Sequence, residues 1–171
     1  MLLILFGLPG AGKSYAGQVL SREFGFHFHE ADDDIPEDYR QTVSAGQVVS
    51  DERRDAYHRG LLERLAQLRA QHRRLAVAAP LLRDKHRHWI RERFPDAVFV
   101  LVWSAPDARE ARLARRAHTV GLDYARKVLA LYEPPTLAHH TLDDSQDGAE
   151  DLRRRLAEML RLAAAPGGGR G

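Results

Sequence analysis

The sequence contains no cysteine, which excludes disulfide bridges and metal sites built from thiolate ligands. It also contains no apolar run of the length that is needed to cross a membrane. The first apolar run, Leu2–Phe6, is too short for the core of a signal peptide and has no basic residue before it. We therefore expect a cytoplasmic protein with no membrane partner.

Charge of a single sign is not in excess either. The formal net charge is +2 over 171 residues, so the composition does not favour a nucleic acid as partner. Lysine is scarce and occurs only at Lys13, Lys85 and Lys127, so the basic side chains are almost all arginine. The length predicts one domain over residues 1–164, followed by a flexible glycine-rich tail at 165–171.

Residues 7–14, GLPGAGKS, match the phosphate-loop pattern G-x-x-x-x-G-K-[ST] at every fixed position. A short apolar strand precedes the loop and a helix with regular apolar spacing follows it, which is the context that the motif needs. The pattern predicts that Lys13 contacts the outer phosphates during catalysis and that Ser14 holds Mg²⁺. The nucleotide contacts predicted in this segment are Gly7, Leu8, Pro9, Gly10, Ala11, Gly12, Lys13, Ser14 and Tyr15. ATP and GTP are not distinguished by these residues.

Four acidic side chains follow the second predicted strand, at Glu30, Asp32, Asp33 and Asp34. In open α/β sheets ligands bind beyond the carboxyl ends of the strands, so these acids lie where a substrate and a metal would be held. No aspartate ends the third or the fourth predicted strand, whereas a mechanical ATPase usually needs one there. The arrangement therefore favours a small-molecule kinase, in which one carboxylate completes the Mg²⁺ shell and another orients the attacking hydroxyl.

The alternation of apolar runs and amphipathic segments predicts an α/β fold of three layers. We expect a five-stranded, mainly parallel sheet with helices on both faces, because strands that alternate with helices pair in parallel. The predicted strands are residues 2–6, 26–30, 75–79, 97–103 and 137–142. Of the histidines, His86, His88, His139 and His140 are predicted to be exposed to solvent.

From about residue 3 to residue 160 the sequence resembles the small phosphate-loop kinases of the gluconate kinase and shikimate kinase group, and it is most similar to gluconate kinases. The segment Glu30-Ala31-Asp32 takes the place of the Asp-x-Asp of that family, and Pro36 and Gly46 follow at its spacing. The segment 51–54, DERR, with Tyr57 three residues on, takes the place of the acidic run, its arginine and a tryptophan. The resemblance implies a phosphate-loop kinase fold with a small lid, and it favours a homodimer.

The resemblance also implies roles for individual residues. The expected reaction is transfer of the γ-phosphate of ATP to a hydroxyl of a small metabolite, with a sugar acid such as gluconate as first candidate. Asp32 would be the catalytic carboxylate, and the metal shell would be formed by Ser14, Glu30 and Asp32, although Asp33 and Asp34 remain alternatives for these acids. The implied acceptor contacts are Asp32, Arg54, Arg83, Arg87 and His118. The implied lid residues are Arg112 and Arg115 for the nucleotide and Arg116 for catalysis.

Two alternative functions stay open at this point. The arginine-rich helices would also suit a kinase of nucleosides, nucleotides or polynucleotide ends. A nucleotide-binding module without catalysis is the other alternative, because several polar residues of the gluconate kinase pattern are replaced here. The replacements are Ile35 for a histidine, Ala79 and Pro80 for Cys-Ser, and Arg83 for a lysine.

Overall fold

A computed structural model describes residues 1–115, 122–144 and 148–164 of the chain. The described part contains one five-stranded sheet with the strand order β2-β3-β1-β4-β5, and all four neighbouring pairs are parallel. The strands are β1 (Leu2–Phe6), β2 (His27–Glu30), β3 (Leu75–Ala78), β4 (Val98–Trp103) and β5 (His140–Asp143). The helices are α1 (Lys13–Phe24), α2 (Glu37–Ser44), α3 (Asp51–Gln71), α4 (Asp84–Arg93), α5 (Pro106–Arg115), α6 (Leu122–Leu129) and α7 (Ala149–Ala164). The predicted α/β fold of a phosphate-loop kinase is confirmed.

Strand β1 lies at the centre of the sheet and is fully buried along its length. Its side chains alternate between two apolar clusters: Leu2, Ile4 and Phe6 pack on one face of the sheet, and Leu3 and Leu5 on the other. Complete burial of such a side chain contributes roughly 1.5–3 kcal/mol, so this short strand is a major source of stability. It also fixes the start of the loop that follows, at the carboxyl edge of the sheet.

Helix α1 packs against β2 through a glycine. A Cβ atom at Gly17 would overlap the ring of Phe28, so only a residue without a side chain allows the helix to lie this close to the strand. This contact places the start of α1 and the end of β2 side by side. The phosphate loop and the acidic residues after β2 therefore share one edge of the sheet.

The structure differs from the sequence predictions around α4. The sequence predicts a helix over residues 81–94, but helix α4 begins at Asp84, because residues 79–82 form a turn in which Leu81 and Leu82 donate backbone hydrogen bonds to Ala79 and Pro80. The predicted exposure of His86 is wrong, since His86 is only 1% exposed. Its ring stacks on that of His58 and its Nε2 lies 2.7 Å from Asp55 Oδ1, contacts that a local sequence pattern does not reveal.

None of the helices in the described ranges has the length and apolar character to cross a membrane. The predicted tail at 165–171 lies outside the described residues, as does the segment 116–121 that was expected to form part of a lid.

Candidate active site

The phosphate loop connects β1 to α1, and Asp144 and helix α5 pack closely against it. Gly12, at the N-terminus of α1, has φ 100°, and a Cβ atom there would overlap the Asp144 carboxylate. Both its backbone conformation and its surroundings therefore require glycine. Helix α5 also approaches the loop, since a Cβ atom at Gly10 would lie 3.0 Å from the Arg109 carbonyl oxygen. The loop is thus shaped by long-range packing as well as by its own sequence.

Lys13 lies over this loop. Its Nζ donates hydrogen bonds to the carbonyl oxygens of Gly7, at 3.0 Å, and Leu8, at 3.1 Å. The positive charge of Lys13 also acts on Glu30 and Asp32, lowering the pKa of each against the effect of burial. The structure therefore brings the predicted phosphate-binding lysine together with the two predicted carboxylates.

Glu30 ends β2 and lies beside the start of α1. Burial raises the pKa of its carboxyl group, and a hydrogen bond from the Ser14 hydroxyl acts in the opposite direction. A hydroxyl and a carboxylate side by side are oxygen donors of the type that Mg²⁺ prefers. Among the described residues no group of three or more histidines, cysteines or acids could hold a metal by itself. The site therefore suits a Mg²⁺ ion that is also bound by phosphate oxygens and water.

Asp32 follows β2 at the carboxyl edge of the sheet, where its side chain is accessible to solvent although nearby protein removes part of its hydration. This partial burial raises the pKa of its carboxyl group, Lys13 lowers it and Asp33 raises it. Asp34 is engaged elsewhere, because its Oδ2 lies 2.6 Å from His29 Nε2 and its Oδ1 lies 3.7 Å from Arg64 Nε. Asp34 is thus bound on the side of His29 and Arg64, while Glu30 and Asp32 interact with Ser14 and Lys13 of the phosphate loop.

Arg54 is almost completely buried, at 2% exposed, although it comes from an arginine-rich helix. One of its Nη atoms donates a hydrogen bond to the Val49 carbonyl oxygen at 3.0 Å, and its Nε lies 3.9 Å from Asp51 Oδ1. Within the described residues this buried Nε has no hydrogen-bond partner. A buried cation with unused donor capacity is expensive without a function, so Arg54 is the strongest anion-binding candidate among the predicted arginines.

Arg83 and Arg87 have different surroundings. Arg83 is partly exposed at the rim of the site, where its guanidinium bonds Glu133 Oε1 at 3.0 Å and Asp51 Oδ2 at 3.3 Å. Arg87 is completely buried, and its guanidinium donates hydrogen bonds to Asp84 and to the carbonyl oxygens of Leu81 and Glu133. These contacts support a structural role for Arg87, since each of its nitrogens is already bound within the protein.

The predicted lid residues are only partly described. Arg112, on α5, lies against the phosphate loop: its Nη1 is 2.8 Å from Asp144 Oδ2 and 3.5 Å from the Gly10 carbonyl oxygen. Arg115 is exposed in the last turn of the same helix. Arg116 and His118 lie outside the described residues. The structure thus places Arg112 at the loop and leaves the other lid roles as predictions.

Three residues of this region, Asp144, Tyr39 and Tyr124, are not predicted from the sequence. Asp144 is buried next to the phosphate loop at the carboxyl end of β5. An acid directly after a parallel strand is a recognisable signal, but the sequence pattern ends the fifth strand at residue 142 and so does not place Asp144 directly after it. Tyr39 and Tyr124 carry no local signal, because buried aromatic residues on helices usually belong to the core.

Comparisons with known proteins agree with this geometry. The family model described as AAA domain matches residues 2–135. A probable gluconokinase of Xenopus tropicalis is 26% identical over 87 residues, which cover 51% of this chain and 46% of the relative. A gluconokinase of Arabidopsis thaliana is 28% identical over 126 residues, which cover 68% of this chain and 67% of the relative. The chain thus spans about half the length of the first relative and two thirds of the second.

Solved structures show the same fold. A sugar kinase from Janibacter sp. has a TM-score of 0.81 at 22% identity, covering 99% of this chain and 98% of the other. A gluconokinase from Sinorhizobium meliloti has a TM-score of 0.74 at 24% identity, with coverages of 95% and 97%. A shikimate kinase from Acinetobacter baumannii has a TM-score of 0.63 at 18% identity, with coverages of 96% and 95%. With the family match over most of its length, the chain belongs to the AAA domain family and has the fold of the phosphate-loop kinases.

Proposed function

We propose that this chain is an ATP-dependent kinase that transfers the γ-phosphate to a hydroxyl of a small acidic metabolite, with a sugar acid such as gluconate as first candidate. The observation that carries the proposal is the meeting of three features at one edge of the sheet: the phosphate loop with Lys13, the carboxylates of Glu30 and Asp32, and the buried cation Arg54. The gluconokinases among its relatives support this choice of substrate class.

In this proposal the nucleotide binds through the backbone N–H groups of the phosphate loop and the charge of Lys13. Ser14 and Glu30 hold Mg²⁺, which neutralises charge on the phosphates when it is bound. Arg112 and Arg115 contact the nucleotide from α5, and Arg116 and His118 complete the site from the segment that follows. Holding the phosphates in one place is the main requirement, because phosphoryl transfer depends on positioning and charge stabilisation.

Asp32 orients the acceptor. Its carboxylate accepts a hydrogen bond from the attacking hydroxyl and points that oxygen at the γ-phosphorus. As the new oxygen–phosphorus bond forms, the bond to the bridging oxygen breaks, ADP leaves, and the hydroxyl proton passes to Asp32.

Arg54 binds the acid group of the acceptor with the donor capacity that the protein leaves unused. Arg83, at the rim, can exchange its bonds to Asp51 and Glu133 for a bond to the substrate. The proposal includes a cytoplasmic location, a single domain over residues 1–164, and a homodimer. Light scattering would measure the mass of the assembly and so test the homodimer.

The test is a coupled ADP-release assay with Mg-ATP and a panel of sugar acids, shikimate, nucleosides and nucleotides. We expect a sugar acid to stimulate turnover, and Asp32→Asn to lower kcat by at least about 100-fold. Asp33→Asn serves as the matched variant, because it makes the same change at the neighbouring exposed position, and it is expected to keep most activity if Asp32 orients the acceptor. Loss of activity in Asp33→Asn alone would transfer the role to Asp33.

Other patterns of stimulation would reject the proposal. Turnover with nucleosides or nucleotides only would favour a nucleotide kinase. A panel without turnover, despite measured ATP binding, would favour a binding module without catalysis.

A further inference from the structure

Two tyrosines on the acceptor side of the site have no role in the mechanism above. Tyr39 on α2 and Tyr124 on α6 are buried, at 6% and 8% exposed. In the described part of the chain neither hydroxyl forms a hydrogen bond to another residue, and neither is sealed from solvent. The hydroxyl of Tyr57, close by, instead donates a hydrogen bond to the Ala31 carbonyl oxygen at 2.7 Å. Tyr39 and Tyr124 therefore each keep a hydroxyl group that the described residues leave available to a ligand.

The packing of Tyr39 places it next to Arg54. Tyr39 forms a small apolar cluster with Val49 and Tyr57, and the rings of the two tyrosines have centroids 5.6 Å apart. The carbonyl oxygen of Val49 accepts the hydrogen bond from Arg54. Tyr39 and Arg54, the arginine that we assign to the acid group of the acceptor, thus both contact Val49.

The packing of Tyr124 places it next to the phosphate loop. Tyr124 forms a second cluster with Leu82 and Val128, against which Leu8 of the loop and Val43 of α2 pack. Val43 also packs against the cluster of Tyr39, so α2 joins the two tyrosines. The cluster of Tyr39 therefore lies next to Arg54, and the cluster of Tyr124 contacts the phosphate loop.

Electrostatic effects agree with this position. Burial raises the pKa of Tyr39 to about 12, and that of Tyr124 is raised for the same reason. In both cases the charge of Arg54 lowers the pKa and the charge of Asp32 raises it, so each hydroxyl is within electrostatic range of both groups. The two phenols are therefore protonated at neutral pH and can each donate and accept a hydrogen bond.

We infer that Tyr39 and Tyr124 are specificity-determining residues, which hydrogen-bond two hydroxyl groups of the acceptor between its acid group at Arg54 and its reacting hydroxyl at Asp32. This inference rests on the proposed function and refines its substrate class: the acceptor carries an acid group and at least three hydroxyls, of which two are recognised and one reacts. An acceptor that lacks a recognised hydroxyl leaves a phenol in the cleft without its partner, and such sites discriminate well.

The test compares Tyr39→Phe and Tyr124→Phe with the wild type in steady-state kinetics on gluconate. We expect each variant to raise the KM for gluconate about 3- to 10-fold, the cost of one neutral hydrogen bond, with the KM for ATP unchanged. Tyr132→Phe is the matched control, because Tyr132 packs against the same cluster as Tyr124 but lies near Arg87 and Asp84. It is expected to leave both KM values unchanged.

A series of monodeoxy analogues of gluconate separates recognition from packing. If a tyrosine binds one hydroxyl, its Phe variant and the wild type should differ on gluconate and become equal on the analogue that lacks that hydroxyl. An unchanged KM for gluconate in both variants would overturn the inference and leave the proposed function intact. A parallel rise in the KM for ATP would also overturn it, since it would indicate a general packing role. A wild type that turns over no sugar acid would overturn the proposed function and this inference with it.

Discussion

Burial determines the charge state of side chains behind the site as well as within it. His58 and His86 stack with ring centroids 3.8 Å apart and are almost fully buried. Burial lowers the pKa of both, that of His58 to about 3. Within the described residues His58 Nε2 and His86 Nδ1 have no hydrogen-bond partner, so a proton added to either atom would find no acceptor. The pair also contacts the backbone of Arg54, since His58 Nδ1 lies 2.7 Å from the Arg54 carbonyl oxygen.

This pair predicts that the protein loses stability in mild acid. The folded pKa of His58 lies below its unfolded value of about 6.5, so the unfolded chain binds more protons between the two values. The contribution of His58 to the free energy of unfolding is complete above about pH 6.5. It is lost as the pH falls toward 3, by up to about 1.4 kcal/mol per pH unit. Urea unfolding at pH 7, 6 and 5 measures how the free energy of unfolding depends on pH. The slope of this dependence should be shallower for His58→Phe than for the wild type. His88→Gln, which changes an exposed residue of α4, should keep the wild-type slope, and equal slopes in all three proteins would contradict the prediction.

The arginines illustrate what the sequence can and cannot predict at the residue scale. Residues 7–14 predict the phosphate loop, because the motif and its context are local. The sequence does not separate Arg54 from Arg87: both are arginines on helices, and only the fold shows that Arg87 is fully bonded internally while Arg54 keeps an unused donor. Such distinctions depend on contacts between residues far apart in the chain.

At the scale of elements, an ion pair helps to connect α5 to the phosphate loop. Arg112 bonds the Asp144 carboxylate at 2.8 Å and the Asp144 carbonyl oxygen at 2.6 Å, and this carboxylate lies directly behind Gly12. The pair joins three elements: α5, the end of β5 and the start of α1. We expect it to hold the nucleotide-binding side of the site in shape.

Asp144→Asn tests this connection. Removal of the charge weakens a partly buried bond to Arg112, and we expect the KM for ATP to rise about 10-fold, with a much smaller change for the acceptor. Glu150→Gln is the control, because the pair of Glu150 with Arg153 is exposed and such pairs contribute little. Equal changes in the KM values for both substrates would contradict a role on the nucleotide side.

The close packing of α1 on β2 predicts opposite effects for two glycines. Gly17→Ala forces a methyl group into the Phe28 ring, and we expect it to destabilise the protein by about 1–3 kcal/mol. Gly60→Ala, on α3, meets open space and is expected to stabilise by about 0.5–1 kcal/mol, because alanine favours the helix. Chemical denaturation measures both. Equal destabilisation by the two changes would contradict the packing described for α1.

At the scale of the whole molecule, the fold could be predicted well from the sequence. Apolar runs and helical spacing predicted five strands and the parallel sheet, because a buried parallel strand such as β1 is apolar throughout. The end of β5 was less well predicted, since its residues are mostly polar or only partly buried, and Asp144 was missed as a result. The acceptor side was also incomplete, because Tyr39 and Tyr124 come from helices that only the fold brings together.

The central claim is transfer of phosphate to a hydroxyl of a sugar acid, and product analysis tests it most directly. Incubation of the wild type with Mg-ATP and gluconate, followed by ³¹P NMR, should show one new phosphate monoester for each ADP formed. ADP accompanied only by inorganic phosphate would show hydrolysis of ATP. That result, or the absence of ADP, would contradict the account.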